Sequence, residues 1–506
     1  MIASGTLLSG ALMLTGVNLL LRFAGTAFQV WLSGRIGAGG IGLLQLVLSV
    51  NTLALTLGTA GGRTTAMYLS AAELGRGRKD NADRLLGGCF VYSITCAAAV
   101  STGLFLLSPW LAAEWIGTMD ALSALRTWAV FLPVLCLCGV MTGYFTAAQR
   151  IGTLAAVEVA EQLFSIAVTA AALSVTAPLD RSGSCRAVVL GTCLGAVLTL
   201  ACLMVLYARG AGRGSSRIPV AGPILKCAIP LALADDLKAG VSALENLMVP
   251  RRLALYSGVP DPLAAFGRVS GMIFPILMFP SAILASLAEM LIPELARCKA
   301  VGSRRRIRYL VRRNLRLTFL YGLICGGVMY LLSDSICAWL YPGQYLSPLL
   351  RRFSLLVPML YCDMISDAMT KGLGQQAACA RYSIISNVVD VALMFFLLPV
   401  LGIDGYFLSF TLTHALNFGL GLRRTLRISG LTLRPAFPLL TLAAAAFSAL
   451  GGSCFTGTAR RTAAFLGLFF GMCFYTGILR KGDLLWLRNL IFQQRKPEKI
   501  ADATNS

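Results

Sequence analysis

Long, continuously apolar runs recur along the whole chain, separated by short polar segments. A membrane-spanning helix needs about 20 mostly apolar residues, and most of the runs reach that length. The pattern therefore predicts about fourteen spans, at residues 5–33, 41–69, 86–107, 122–147, 154–176, 187–208, 225–249, 266–292, 309–333, 346–370, 382–400, 403–422, 436–453 and 462–479.

The composition agrees with this pattern. Hydrophobic residues make up 57% of the 506 residues, charged residues only 13%, and the mean hydropathy is +0.75. Soluble proteins carry roughly 25% charged residues, so this chain has too little polar surface to face water on all sides. We predict an all-α polytopic membrane protein with about 14 transmembrane helices.

The net charge of +22 follows the predicted topology and does not indicate a nucleic-acid partner. With the N-terminus in the cytoplasm, thirty of the 44 Lys and Arg residues fall in inside connections and eleven outside. Basic residues concentrate in cytoplasmic loops of membrane proteins. We therefore expect a multi-pass protein of the cytoplasmic membrane with both termini cytoplasmic, and contact of its basic loops with anionic membrane lipids.

A basic, glycine-rich connection divides the chain. It predicts an N-terminal six-helix bundle (1–208), a basic cytoplasmic linker (209–224) and a second six-helix bundle (225–428). Two extra helices (429–482) and a polar cytoplasmic tail (483–506) follow. Weakly similar segments recur about 225 residues apart, which favours a parallel repeat of the kind found in transporters, facing a central cavity. An ordinary long loop is the alternative interpretation of the linker.

The chain lacks the usual material of an enzyme. It has one histidine, His414, and no G-x-x-x-x-G-K-[ST] phosphate-binding loop. Its 15 cysteines show no zinc-site spacing and fall mostly within spans, where they act as small apolar residues. We predict no enzymatic activity, no cofactor and no metal site. Any work done by the protein must then draw on an ion gradient, the membrane potential or a substrate gradient.

Charged residues inside spans are the informative positions, because each costs at least ~2.5–3.5 kcal/mol at a helix centre. Arg22 lies midway along the first predicted span. It can bind an anion such as phosphate with its forked guanidinium, or pair structurally with Glu158 or Glu161. Arg63, after two glycines, is either a second cavity cation or an anchor at a helix end.

The fifth and seventh predicted spans carry most of the remaining polar residues. These can couple transport to an ion, line a water-filled cavity or form a structural hydrogen-bonded network. In the seventh span, Asp235 and Lys238 are spaced to pair. The full set is Glu158, Glu161, Gln162, Asp235, Asp236, Lys238, Glu245 and Asn246.

Further cations and carboxylates lie near the predicted outer mouth and in the second half. Arg251, Arg252 and Arg268 can complete a cationic lining or be ordinary interfacial arginines. Asp363, Asp367 and Asp390 can form an ion site or act as counter-ions for nearby basic residues.

Several segments, taken together and in order, resemble the stage V sporulation protein B and MurJ-like lipid flippase family. That family belongs to the multidrug/oligosaccharidyl-lipid/polysaccharide exporter superfamily. The resemblance covers at least residues 5–400 and rests on Arg22-Phe-Ala-Gly25, Leu32-Ser-Gly-Arg-Ile-Gly37, Gly143-Tyr-Phe, Gln149, Glu161-Gln162 and Val249-Pro-Arg-Arg-Leu253.

The resemblance implies a MATE-like fold of two six-helix bundles arranged in a V, which alternates between inward and outward openings. It implies a flippase or exporter for an undecaprenyl-diphosphate-linked saccharide, such as lipid II or a related polysaccharide precursor, in growth or in spore cortex synthesis. The family uses arginines of the first, second and eighth spans for such diphosphates, which Arg22 and Arg268, and to a lesser degree Arg63, match by position. A coupling ion and cell-wall synthesis enzymes are further expected partners.

Two other functions stay open at this point. An ion-coupled exporter of cationic drugs needs a membrane carboxylate, and relatives of that type place one in the first span, where this chain has Arg22 instead. A non-transporting membrane scaffold for wall synthesis is the third hypothesis, although it gives the buried charges no role.

Overall fold

The computed structural model describes residues 4–175, 180–209, 219–432 and 436–476. Within these ranges the regular secondary structure is helical, which confirms the predicted all-α class. The first half contains α1 (Ser4–Thr59), α2 (Gly62–Gly75), α3 (Lys79–Trp110), a π-helical turn (Leu111–Ile116), a 3₁₀ turn (Met119–Ala121), α4 (Leu122–Ala147), α5 (Ile151–Val175) and α6 (Arg181–Ala208).

The second half contains more short and broken helices. They are α7 (Ala221–Leu253), α8 (Pro262–Phe266), a π-helical turn (Gly267–Ile273), α9 (Phe274–Met278), α10 (Ser281–Ala300), α11 (Arg304–Leu331), α12 (Ser333–Leu340), α13 (Ser347–Ser354), α14 (Val357–Gly372), α15 (Gln376–Leu401), α16 (Ile403–Ser429), α17 (Ala436–Ser453) and α18 (Thr458–Tyr475).

The 56 residues of α1 make two predicted spans in one element. A straight helix of that length would run about 84 Å, far beyond the ~30 Å hydrocarbon core of a bilayer. The chain turns at Gly37, where φ is 68° and ψ is 177°, a conformation that glycine adopts readily. Gln29 and Gln45 lie eight residues before and after Gly37, and both contact Gly271. The two segments of α1 that meet at Gly37, which we call its first and second arms, therefore run back along each other.

The eighth predicted span is not one straight helix. Residues Pro262–Met278 and Ser281–Ala300 meet at an angle of 63°. Pro280 stands at this break, where its ring disfavours a continuous helix. Two more predicted spans are divided. The span 41–69 is interrupted at Ala60 and Gly61, whose φ angles are positive. The span 346–370 is interrupted just before Val357, where α14 begins. Apolar runs alone did not reveal these interruptions.

Seven described helical segments are long and apolar enough to cross a membrane, or eight if the bent pair is one span. The number fourteen therefore stays a prediction. So do the domain limits, although α7 already begins at Ala221, inside the segment expected as a linker. The tail at 483–506 lies outside the described residues. Both α17 and α18 pack against α11 at the side of the second half.

The helix bundle has two ends that differ in charge. We call the end with Arg76–Arg78, Arg150 and Val301–Arg306 the basic end. The other end carries the turn at Gly37 and the start of α6 at Arg181, and we call it the Gly37 end. Arg181 reaches Gly39 and the Asp261 carboxylate there, which shows that these segments meet at the same end.

The two halves touch backbone to backbone at the Gly37 end. A methyl group added to Gly42 would stand 2.1 Å from the Leu263 carbonyl oxygen, and one added to Gly267 would stand 2.1 Å from the Ala38 carbonyl oxygen. Only glycine permits so close an approach of two helices. We call this contact between Ala38–Gly42 and Leu263–Gly267 the glycine seal. It packs the two halves tightly together at the Gly37 end.

Candidate functional site

Arg22 connects the two halves below the glycine seal. Its Nη1 atom donates to the Met278 carbonyl oxygen at 3.3 Å and to the Ser281 hydroxyl at 3.2 Å. The acceptors lie at the break between α9 and α10, where the bend leaves the Met278 carbonyl available for side chains. The guanidinium is exposed rather than enclosed. Neither predicted carboxylate partner, Glu158 or Glu161, is bonded to Arg22 in the described part of the chain.

A cavity of about 410 Å³ opens beside this arginine, between the first arm of α1, α5 and α10. The side chains around it include one cation, one carboxylate, one amide and one hydroxyl. Its lining is Leu21, Arg22, Gln162, Ala282, Ala285, Ser286 and Glu289. The structure thus brings together Arg22 and Gln162, two residues singled out from the sequence. Glu289 was missed, although a single glutamate within an otherwise apolar run was a visible signal.

Arg63 and the carboxylates of α5 form a second polar group near the first. Arg63 is the second residue of α2, just after the backbone break, and it interacts electrostatically with Glu158. Glu158 lies four residues before Gln162, one helical turn or about 6 Å nearer the basic end. Glu161 instead accepts a hydrogen bond of 2.6 Å from Thr199 on α6. Arg63 and Glu158 thus do not line the Arg22 cavity themselves, whereas Glu161 helps to hold α5 against α6.

The remaining predicted arginines do not join Arg22. Arg268 is exposed in the π-helical turn, next to the glycine seal and ten residues before Met278. Arg251 and Arg252 line a separate cavity of about 460 Å³ with Trp115 and Phe395, and the Arg252 guanidinium lies 3.2 Å from the centre of the Phe395 ring. The structure thus places these three side chains away from the Arg22 cavity.

The polar residues of α7 divide between surface and interior. Asp235 and Lys238 are both exposed, and the predicted ion pair between them is absent among the described residues. Asp236 has one buried carboxylate oxygen without a hydrogen-bond partner, close to Tyr92. Asn246 is half-buried.

The half-buried Glu245 forms a carboxyl pair with Asp390 of α15. The two groups interact electrostatically, and Asp390 is 3% exposed. Ser409 of α16 donates to the Asp390 Oδ1 atom at 2.5 Å. Ser386, one turn before Asp390, has a buried hydroxyl without a partner in the described structure. Two adjacent carboxylates repel each other when both are ionised, which makes this pair a candidate site for a cation.

The other two aspartates of the second half do not join this pair. Asp363 accepts two hydrogen bonds of 3.0 Å from the Asn417 amide, and Asp367 forms an ion pair of 2.6 Å with Lys371. Asp367 thus has a basic partner, as the counter-ion alternative describes, whereas the partner of Asp363 is a neutral amide. In the described residues no group of three or more His, Cys, Asp or Glu side chains is arranged to hold a metal ion.

Comparison with known proteins extends these observations. Residues 7–227 match the family model described as "Polysaccharide biosynthesis protein". A solved structure described as lipid II flippase MurJ in an inward closed conformation superimposes with a TM-score of 0.68, covering 95% of this chain and all of that chain at 11% identity. An inward-facing multidrug-resistance MATE transporter of the MOP superfamily gives 0.66, covering 82% of this chain and 98% of that one at 14% identity.

The chain has the same fold as these two solved structures. Its sequence is also 23% identical over 440 residues to stage V sporulation protein B of Bacillus subtilis (strain 168), which covers 82% of this chain and 83% of that protein. The resemblance inferred from the quoted segments is therefore confirmed. The roles of individual residues in the Arg22 cavity stay predictions.

Proposed function

We propose that this chain is a flippase that moves an undecaprenyl-diphosphate-linked saccharide, a precursor of peptidoglycan or of a related polysaccharide, across the cytoplasmic membrane. The observation that carries the proposal is the exposed guanidinium of Arg22 in the wall of a cavity between the two halves. The sporulation relative and the fold shared with a lipid II flippase support it. Such a carrier is needed because a sugar head group does not cross a lipid core unaided.

The hydrogen bonds of Arg22 leave part of the guanidinium available for a ligand. Both bonds to the second half use Nη1. A guanidinium has five N–H donors, so Nε and Nη2 offer three more on an adjoining edge. That edge can take two phosphate oxygens side by side. The bonds to Met278 and Ser281 hold the guanidinium in place and thereby lower the entropic cost of binding.

The orientation of the protein follows from its charge. The basic end faces the cytoplasm in our proposal, with both termini on that side, because Lys and Arg concentrate in cytoplasmic loops. The glycine seal then closes the outer side of the interface between the halves. In this state the Arg22 cavity receives its substrate from the inner leaflet, and opening of the seal would release the head group outside.

The pair Glu245–Asp390 is the proposed coupling site. A shared proton or a bound Na⁺ removes the repulsion between the two carboxylates, and losing that cation favours their separation. The pair joins α7 to α15, and the beginning of α7 also packs against the first half at Gly61. A change in this pair can therefore alter how the two halves pack, which is the movement that transport requires.

A cation exporter is the second candidate function. It is favoured by one observation, the Glu289 carboxylate in the same cavity as Arg22. A lone arginine beside the site would repel a cationic drug, however, and the first arm of α1 carries no carboxylate. The lipid-linked saccharide therefore fits the charges better.

The test uses purified protein in proteoliposomes and fluorescent lipid II, whose arrival in the opposite leaflet is measured by quenching. Arg22→Ala is expected to slow transport about ten- to a hundredfold, because a charge-assisted bond to the diphosphate is lost. Arg22→Lys should keep part of the rate. Arg460→Ala, an exposed arginine at the start of α18, is the matched control and should behave like the wild type.

Arg22→Ala also removes the bonds to the second half, so a further variant separates the two effects. Ser281→Ala deletes a wall acceptor but keeps the guanidinium, and it should stay within a few-fold of the wild-type rate. An unchanged rate for Arg22→Ala would refute the assignment of the site. Wild-type protein that moves no lipid II would refute that substrate, and wild-type protein that moves neither lipid-linked saccharides nor cationic drugs would favour the scaffold hypothesis.

A further inference from the structure

Glu289 is the only carboxylate among the described residues that line the Arg22 cavity. Its side chain is exposed to the cavity, and in the described part of the chain it forms no hydrogen bond or ion pair. A neighbouring glutamate on the same helix, Glu294, is instead satisfied by an ion pair of 2.6 Å with Arg306. Glu289 is thus the acidic group of α10 that is left for a ligand.

The spacing along α10 separates Glu289 from the anion-binding arginine. Ser281, Ala285 and Glu289 are four residues apart in turn, so they share one face of the helix. Ser281 holds Arg22, and eight residues further along the helix corresponds to about 12 Å. Ala285 and Ser286 between them are small and line the cavity. This face of α10 therefore holds the Arg22 guanidinium at its Ser281 end and carries the Glu289 carboxylate nearer the basic end. The cavity lies between the two charges.

We propose that Glu289 is a second recognition residue, which binds hydroxyl or ammonium donors of the transported head group about 12 Å from the diphosphate held by Arg22. This inference rests on the function proposed above. Sugar hydroxyls and amines are donors that a carboxylate binds strongly. The same carboxylate repels phosphate, so the two charges fix which end of the substrate faces which end of the cavity. Glu289 thereby selects lipids that carry a donor-rich head group over the bare lipid diphosphate.

The experiment measures the affinity of the purified full-length protein for two probes, lipid II and undecaprenyl diphosphate without a head group. Glu289→Ala is expected to weaken lipid II binding about ten- to a hundredfold and to leave the affinity for undecaprenyl diphosphate unchanged. Glu289→Gln should give a smaller loss, since its amide oxygen still accepts. Glu294→Gln is the control on the same helix, and Arg22→Ala should weaken binding of both probes.

The outcomes are distinct. Unchanged lipid II affinity in Glu289→Ala overturns the inference and leaves the flippase proposal standing. An equal loss for both probes also overturns it, because Glu289 would then act on the diphosphate site and not on the head group. Normal binding with lost transport assigns Glu289 to ion coupling and again overturns it. Wild-type protein that binds neither probe removes the proposed function and this inference together.

Discussion

Substituting alanine for Gly42 is expected to open the glycine seal. The added Cβ would stand 2.1 Å from the Leu263 carbonyl oxygen and 3.3 Å from the Gly267 backbone nitrogen. Both neighbours are backbone atoms, which cannot rotate away as a side chain can. A carbon–oxygen contact needs about 3 Å or more, so the two helices must separate by roughly 1 Å at this point. That separation removes the close packing that holds the Gly37 end shut.

The magnitude follows from the cost of overpacking, which is about 1–3 kcal/mol for an extra methyl group in a tight contact. The strain acts on the sealed state alone, because the helices no longer touch here once the end is open. At about 1.4 kcal/mol per tenfold change, the population of the sealed state relative to the open state should fall about five- to a hundredfold.

The assay is a distance measurement across the Gly37 end by pulsed electron paramagnetic resonance. Spin labels are placed on genetically encoded non-natural residues at Arg186 and Ser257, since the 15 cysteines preclude specific cysteine labelling. Gly42→Ala should add or enlarge a long-distance population. Gly34→Ala is the matched control on the same helix, because a methyl group there meets nothing within 4 Å.

Two results would refute this reasoning. If Gly42→Ala keeps the wild-type distance distribution in a stably inserted protein, the backbone contact does not hold the end closed. If Gly34→Ala shifts the distribution as far as Gly42→Ala does, the cause is the higher helix propensity of alanine, about 1 kcal/mol, and not the contact with Leu263.

Three further predictions follow from the same structure. Arg181→Gln should change the distance distribution only slightly, because its pair with Asp261 is 3.7 Å long and about half exposed; a shift as large as that of Gly42→Ala would show that the pair is the main latch. Glu245→Gln should abolish the dependence of transport on a Na⁺ or proton gradient while lipid II still binds. If transport by this variant still depends on the gradient, the Glu245–Asp390 pair is not the coupling site. Cys454, the one exposed cysteine, should react with a membrane-impermeant maleimide on intact cells and not in Cys454→Ser; labelling only after permeabilisation would reverse the proposed orientation.

Part of the candidate site could be predicted from the sequence because burying a charge in a membrane is costly. That cost makes polar residues within apolar runs conspicuous, and it singled out Arg22, Gln162, Glu245 and Asp390. The cost indicates that a buried polar group needs a polar partner or a cavity, but it does not indicate which partner or which cavity. For Arg22 the sequence left open an anion-binding role or a pair with a carboxylate of α5, whereas the acceptors of its hydrogen bonds lie at the α9–α10 break, 256 residues away in sequence.

The sequence by itself determined the membrane environment, the helical class and the family resemblance, because length and hydropathy decide whether a helix is stable in lipid. Only the tertiary structure decided which residues share a cavity. Arg22, Gln162 and Glu289 come together because the bend at Pro280 turns α10 toward the first half, and the glycine seal exists because Gly42 and Gly267 meet across 225 residues of chain. Such long-range contacts depend on how helices pack against one another, and the local pattern of hydrophobic and polar residues does not specify that packing.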